Sequence, residues 1–154
     1  MGKIDKHLAE LGIVLPAAAK PVANYVPWVR TGNLVFISGQ GPIADGKIVY
    51  TGLLGGGVSI EDGVKSARLC ALNVVAQLRE ACGGDLDRVK RVVKLLGFVN
   101  ATADFADHPK VINGASDVMV EIFGDKGRHA RAAVSVPALP RGVAVEIDAI
   151  FEIE

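Results

Sequence analysis

Hydrophobic and polar positions along this chain change period several times, and each change marks an element. Ile4, Leu8 and Leu11 recur at helical spacing ahead of Gly12, which predicts a short amphipathic helix over residues 3–11. Pro16, Pro21 and an alanine run predict an extended connection from Gly12 to Val22. Tyr25 to Arg30 is strand-like but broken by Pro27, which suits a sheet edge. Thr31-Gly32-Asn33 is a turn, and Leu34-Val35-Phe36-Ile37 reads as a buried strand ended by Ser38-Gly39-Gln40-Gly41-Pro42. Asp45-Gly46 marks a polar turn. The glycine-rich Thr51 to Gly57 lacks both a GK[ST] ending and a GxGxxG spacing after a strand, so it reads as a flexible connection rather than a phosphate cradle.

Helical period then returns. Ser59 is placed as an N-cap with Glu61 and Asp62 in the first turn. Ile60, Val64, Ala67, Ala71, Val74, Val75 and Leu78 carry the stripe toward the stop at Gly83-Gly84. Val89 to Val99 is nearly continuous in apolar residues and predicts a central strand, with Arg88, Lys90, Arg91 and Lys94 as its solvated start. Asp107 or His108 caps a second long helix with Pro109 in its first turn. Val111, Ile112, Ala115, Val118, Met119, Ile122 and Phe123 form its buried stripe, and Gly124 stops it.

The last quarter of the chain organises the rest. His129 to Val136 and Val143 to Ile153 are strand-like runs joined by a link bearing Pro140, Arg141 and Gly142, and they read as a β-hairpin with a longer loop. In the second run Val143, Val145, Ile147, Ala149, Phe151 and Ile153 alternate with Ala144, Glu146, Asp148, Ile150 and Glu152, one set for the core and one for the opposite face. On that pairing Arg131 and Glu146 stand on one accessible surface. An arginine fork for a carboxylate, beside a carboxylate that handles protons, is a usable chemical pair. The element order β-β-α-β-α-β-β predicts a two-layer α+β fold, a mainly antiparallel sheet with two helices on one face. Residues 1–154 are expected to form a single domain, with residues 1–20 as an N-terminal helix and arm.

Composition narrows the function classes. Seventeen Lys+Arg balance seventeen Asp+Glu, which argues against a chain built to grip phosphate backbones. Half the residues are hydrophobic and few are aromatic, so the chain is globular, and a near-neutral aliphatic surface points to self-association. No signal peptide or run approaching about 18 apolar residues is present, so no membrane partner is expected. Cys70 and Cys82 fall on one predicted helix, about 18 Å apart at about 1.5 Å per residue, too far for a disulfide. Both are expected to be buried small hydrophobes, and the compartment reads as cytoplasmic. His7, His108 and His129 are scattered, with no HxxxH or CxxC setting, so no metal site is expected. His7 and His108 read as a surface and a helix-start residue. His129 lies two residues before Arg131 and shares its strand face.

Several of these residues together resemble the YjgF/RidA family, also named for liver perchloric-acid-soluble protein. They are Tyr25 ahead of Gly32-Asn33-Leu34, Phe36-Ile37-Ser38-Gly39-Gln40, Gly97-Phe98-Val99-Asn100, Asn113, Ala130-Arg131, and Leu139-Pro140 through Val145-Glu146-Ile147-Asp148-Ala149-Ile150. The resemblance covers roughly residues 20–153 in order. It implies a chorismate-mutase-like α+β fold, a homotrimer with clefts between subunits, and cofactor-independent hydrolysis of reactive 2-imino acids or their enamine tautomers to 2-oxo acids and ammonia. Carried across, Arg131 clamps the carboxylate of a small metabolite and Glu146 orients or activates water. Tyr25, Asn113 and the backbone near Gly39 and Ala133 line the cleft. No cofactor is implied. A non-catalytic trimeric metabolite-binding or regulatory protein is the alternative, and an endoribonuclease is disfavoured by the zero net charge. Ala132 and Ala133 stand where many deaminating members carry polar residues or cysteine, and His129 where proline is common. The N-terminal arm and the Gly52–Gly57 insertion resemble a longer branch, and both are expected to reshape the rim of the cleft.

Overall fold

The apolar stripes of two helices and the alternating C-terminal run meet in one layer of packed side chains. In the computed structural model, which describes residues 1–154, the order is α1 (Lys3–Glu10), β1 (Trp28–Thr31), β2 (Leu34–Gln40), β3 (Ile43–Ala44), β4 (Lys47–Ile48), α2 (Ile60–Ala81), β5 (Val89–Asn100), α3 (His108–Phe123), β6 (Ala130–Val136) and β7 (Val145–Ile153). The strands of the main sheet lie in the order β1-β2-β7-β5-β6, and β3 and β4 make a separate small ribbon. Every neighbouring pair of the main sheet is antiparallel except β5 and β6. Helices α2 and α3 cover one face, giving a two-layer α+β fold. No helix is long and apolar enough to cross a membrane.

The local signals act as expected at most boundaries. Ser59 accepts a hydrogen bond from the backbone N–H of Asp62 at 3.1 Å and caps α2. Asp107 occupies the cap position of α3 without a side-chain cap bond, and β1 lies at the sheet edge, just past Pro27. Asp45 and Gly46 both have positive φ, 52° and 74°, as the tight turn between β3 and β4 requires. The two cysteines are buried and unpaired.

Two expectations are overturned. The C-terminal stretch is not a hairpin, because β5 lies between β6 and β7. The chain leaves β5, passes through α3 and returns as β6, and such a crossover lays the second strand parallel to the first. Strand β7 has a core face of Val145, Ile147, Ala149, Phe151 and Ile153, all almost fully buried, and takes the central place between β2 and β5. The glycine-rich stretch is not a free connection either. Leu54 is fully buried, its N–H donates to the Asn100 carbonyl and its own carbonyl accepts from Thr102, while Gly52 N–H donates to the Gly142 carbonyl. A single buried leucine ties down a segment whose composition alone suggests freedom.

Two further contacts fix the positions of α3 and of the N-terminal arm. A Cβ on Gly97 of β5 would lie 2.5 Å from Ile112 Cδ1, so the missing side chain lets α3 settle close over β5 and β6. At the other end of the chain, the Asp87 carboxylate accepts from the backbone N–H groups of Lys3 and Ile4, both at 2.8 Å, which caps α1 from a distant turn. These two backbone donors, Ile4 first, hold the Asp87 carboxyl below its usual range. The capped helix leads into the extended arm.

The face of the sheet away from the helices carries no layer. Register places Val29 beside Phe36, Phe36 beside Ile150, and Phe98 between Glu146 and Val134. Val29, Phe36 and Val134 are 50%, 40% and 43% exposed, so this open face presents an apolar strip among its charges.

Candidate functional site

Six residues singled out in the sequence fall into two groups. Tyr25, Gly39 and Glu146 line one cleft of about 190 Å³, together with Gln40, Arg141 and the end of the N-terminal arm from Ala19 to Val22. The arm therefore does shape the rim. Glu146 alternates with the fully buried Val145 and Ile147 and so stands on the open face. A Cβ at Gly39 would come within 2.9 Å of the Glu146 carboxylate carbon, so glycine is what allows the bulged end of β2 to close over that side chain.

Burial pushes the Glu146 carboxyl above its usual range, and the negative charge of Asp148, two residues along the same face, pushes it further. Asp148 is raised too, by its own burial, with Lys94 pulling the other way. None of the ion pairs in the chain involves Glu146. A half-buried carboxylate without a cationic partner has the environment of a proton acceptor and donor rather than of a salt-bridge anchor.

Arg131, Asn113 and Ala133 form the second group, between α3 and the edge strand β6. Arg131 pairs in register with Leu95, which pairs in turn with Ala149, and both of those face the core. Its side chain therefore projects on the helix side. Arg131 Nη1 donates to Asn113 Oδ1 at 2.8 Å and to Ser116 Oγ at 3.1 Å, and Nη2 donates to the Pro109 carbonyl at 3.3 Å. A guanidinium has five N–H donors. With three engaged, Nε–H and one Nη2–H remain free to donate to a carboxylate.

The two groups do not meet within one chain. Arg131 and Glu146 lie on opposite faces of the sheet, not on one surface as a hairpin would have placed them. They are also separated by two strand spacings, about 9–10 Å, and by the three positions from Leu95 to Phe98, about 10 Å. Ala133 shares the side of Arg131 and packs partly against the core.

Ser116 also touches this second group, through Arg131, and His129 touches Ser116. Ser116 follows Asn113 by three residues on α3 and so shares its helix face, a spacing that was readable once Asn113 was singled out. Arg141, in the link before β7, adopts φ 56°, an uncommon left-handed conformation, at the rim of the Glu146 cleft. No group of three or more His, Cys, Asp or Glu side chains converges anywhere in the chain.

Residues 5–151 match the family model described as "YjgF/chorismate_mutase-like, putative endoribonuclease". The chain belongs to this YjgF family. Protein TCP17 of Trypanosoma cruzi is 50% identical over 153 residues, 99% of this chain and 95% of that protein. A crystal structure of an Agrobacterium tumefaciens protein of unknown function superposes with a TM-score of 0.92 at 48% identity, covering 98% of this chain and 92% of the other. The 2-iminobutanoate/2-iminopropanoate deaminase of Dermatophagoides farinae is 34% identical over 142 residues, 92% of this chain and 95% of its own length. The YjgF fold expected from the motifs is thus the fold observed.

Proposed function

We propose that this YjgF-family protein is a cofactor-independent deaminase that hydrolyses small 2-imino acids, or their enamine tautomers, to 2-oxo acids and ammonia. The observation that carries the reading is the Arg131 guanidinium fork, held ready by three hydrogen bonds to α3 with two N–H donors left over. That fork suits the carboxylate of a 2-imino acid. Water adds to the iminium carbon as Glu146 takes its proton, giving a carbinolamine. Glu146 then returns the proton to nitrogen, and its carboxylate takes the hydroxyl proton as the C–N bond breaks, so that the carbonyl forms, ammonia leaves, and the proton passes from Glu146 to the ammonia as ammonium. The iminium carbon is already electrophilic, so positioning and proton transfer suffice. The similarity to the mite protein named as such a deaminase supports this chemistry.

The active unit we propose is a cytoplasmic homotrimer with clefts between subunits. Arg131 and Glu146 face opposite sides of one sheet, so a shared cleft requires a second copy of the chain. The apolar strip of Val29, Phe36 and Val134 on the open face supplies a surface for that contact. A metabolite-binding protein without turnover is the second reading, favoured by Ala132 and Ala133, which bring no polar side chain beside the arginine.

Ammonia release from freshly generated 2-iminopropanoate and 2-iminobutanoate tests the proposal, with sedimentation of the same samples for assembly. Acceleration by the wild type, lost in Arg131→Ala and Glu146→Gln at unchanged mass, is the expected result. A wild type that binds 2-oxobutanoate yet accelerates neither reaction would favour the binding protein.

A further inference from the structure

Ser116 and His129 have no part in the chemistry above, yet both are tied to Arg131. His129 Nδ1 lies 2.6 Å from the Gly127 carbonyl, which can only accept, so Nδ1 carries the proton. In the neutral ring Nε2 is then an acceptor, and it lies 2.8 Å from Ser116 Oγ. Ser116 Oγ in turn accepts from Arg131 Nη1, since arginine has only donors. One direction satisfies every group: Arg131 donates to Ser116, Ser116 donates to His129, and His129 donates to Gly127.

The far end of this chain of bonds is itself fixed. Gly127 closes the short turn after α3, and a Cβ there would run into the Met119 carbonyl, so the turn presses directly on the helix backbone. The histidine is thus seated between the helix that carries Asn113 and Ser116 and the strand that carries Arg131.

We propose that Ser116 and His129 are positioning residues that hold the Arg131 guanidinium in one orientation and so set its affinity for a carboxylate. This rests on the reading of Arg131 as the carboxylate clamp. The physical effect is preorganisation. Asn113 and Ser116 hold Nη1 and the Pro109 carbonyl holds Nη2, so rotation about the Nε–Cζ bond would break three bonds at once. Without the serine, the carboxylate would have to order the guanidinium as it binds. That immobilisation corresponds to about 3- to 10-fold in affinity. Since His129 reaches Arg131 only through Ser116, the two act in series.

The test uses the full-length protein as wild type, Ser116→Ala, His129→Ala, the double variant and His129→Gln. Side-chain ¹⁵N spectra should show His129 as the Nδ1–H tautomer and slowed rotation of the Arg131 Nη groups, faster in Ser116→Ala. Calorimetric titration with 2-oxobutanoate should weaken about 3- to 10-fold in each alanine variant. The double variant should be no weaker than Ser116→Ala alone, and His129→Gln, whose amide oxygen can accept from Ser116, should recover part of the loss. KM for 2-iminobutanoate should rise by a similar factor with kcat within about 2-fold, as for lost uniform binding.

An Nε2–H tautomer, unchanged Arg131 rotation in Ser116→Ala, or additive losses in the double variant would overturn the positioning role. If the wild type shows both spectral signatures but binds no 2-oxobutanoate, the carboxylate reading fails while the Arg131-Ser116-His129 arrangement stands.

Discussion

The two halves of the candidate site are built on opposite principles. Around Arg131 the protein supplies partners: an amide oxygen, a hydroxyl and a backbone carbonyl hold three of the five guanidinium donors. Around Glu146 it withholds them. The carboxylate has no ion-pair partner, sits against the bulged backbone at Gly39, and is destabilised in its charged form by burial and by Asp148. A binding group gains from being locked, because locking lowers the entropy lost on capture. A proton-transfer group gains from a pKa moved toward the working pH, which partners would undo. The contrast in environment is what separates the two roles, since both residues look alike as charged positions on strands.

The comparison can be broken most sharply at its two poles. Arg131→Ala should abolish measurable deamination while the fold persists, checked by ammonia release and circular dichroism. Glu146→Gln should lower kcat by about 10²–10⁴-fold, the span of general acid–base catalysis, with little change in 2-oxobutanoate affinity.

The same variant carries a pH signature. The folded pKa of Glu146 is raised, so its stability contribution is full below the unfolded value, about 4.3, and is lost as pH rises through the folded value. At neutral pH Glu146→Gln should therefore melt higher than wild type, and the gap should close on acidification. Wild-type kcat should fall as pH drops through that same raised value, because the base must be ionised. A melting temperature that is lower at neutral pH would show that the carboxylate is not destabilised by its surroundings.

A smaller effect tests how the binding half is assembled. Gly97→Ala places a methyl against Ile112 and should cost about 1–3 kcal/mol by overpacking. It should weaken 2-oxobutanoate binding by moving α3 off β6, and leave Glu146 largely untouched. The smallest effect is expected at Asp87→Asn, which loosens the cap of α1. The folded pKa of Asp87 is depressed, so the wild type's advantage should be present above the unfolded value and fade as pH falls through the folded one. Thermal melts at neutral pH and at about pH 3 check this, the lower value lying below the unfolded carboxylate range of about 3.9.

Legibility from the sequence differs by element. The stripe of α2, the cap at Ser59, the alternation in β7 and the stop at Gly124 are local consequences of period and backbone preference, and they stand where the pattern put them. The residues of the candidate site were legible as a set through the motifs around Tyr25, Gly39, Asn113, Arg131 and Glu146. Their partition was not. Neighbouring strands in sequence suggested a hairpin, and only the crossover through α3, which inserts β5 between β6 and β7, sends Arg131 and Glu146 to opposite faces. Likewise nothing local in Thr51 to Gly57 indicates that Leu54 is buried. Ser116 and His129 are 13 residues apart and gain their relation to Arg131 only when α3 closes on β6.

The sequence by itself thus determined the main helices and strands, their buried faces and the candidate site residues, because side-chain period, caps and charge are written residue by residue. The tertiary structure decided which strands pair, which face each charged group meets and what holds Arg131 in place. Those depend on contacts between distant segments, and alternation along a strand fixes sides only relative to its neighbours, never which neighbour it will have.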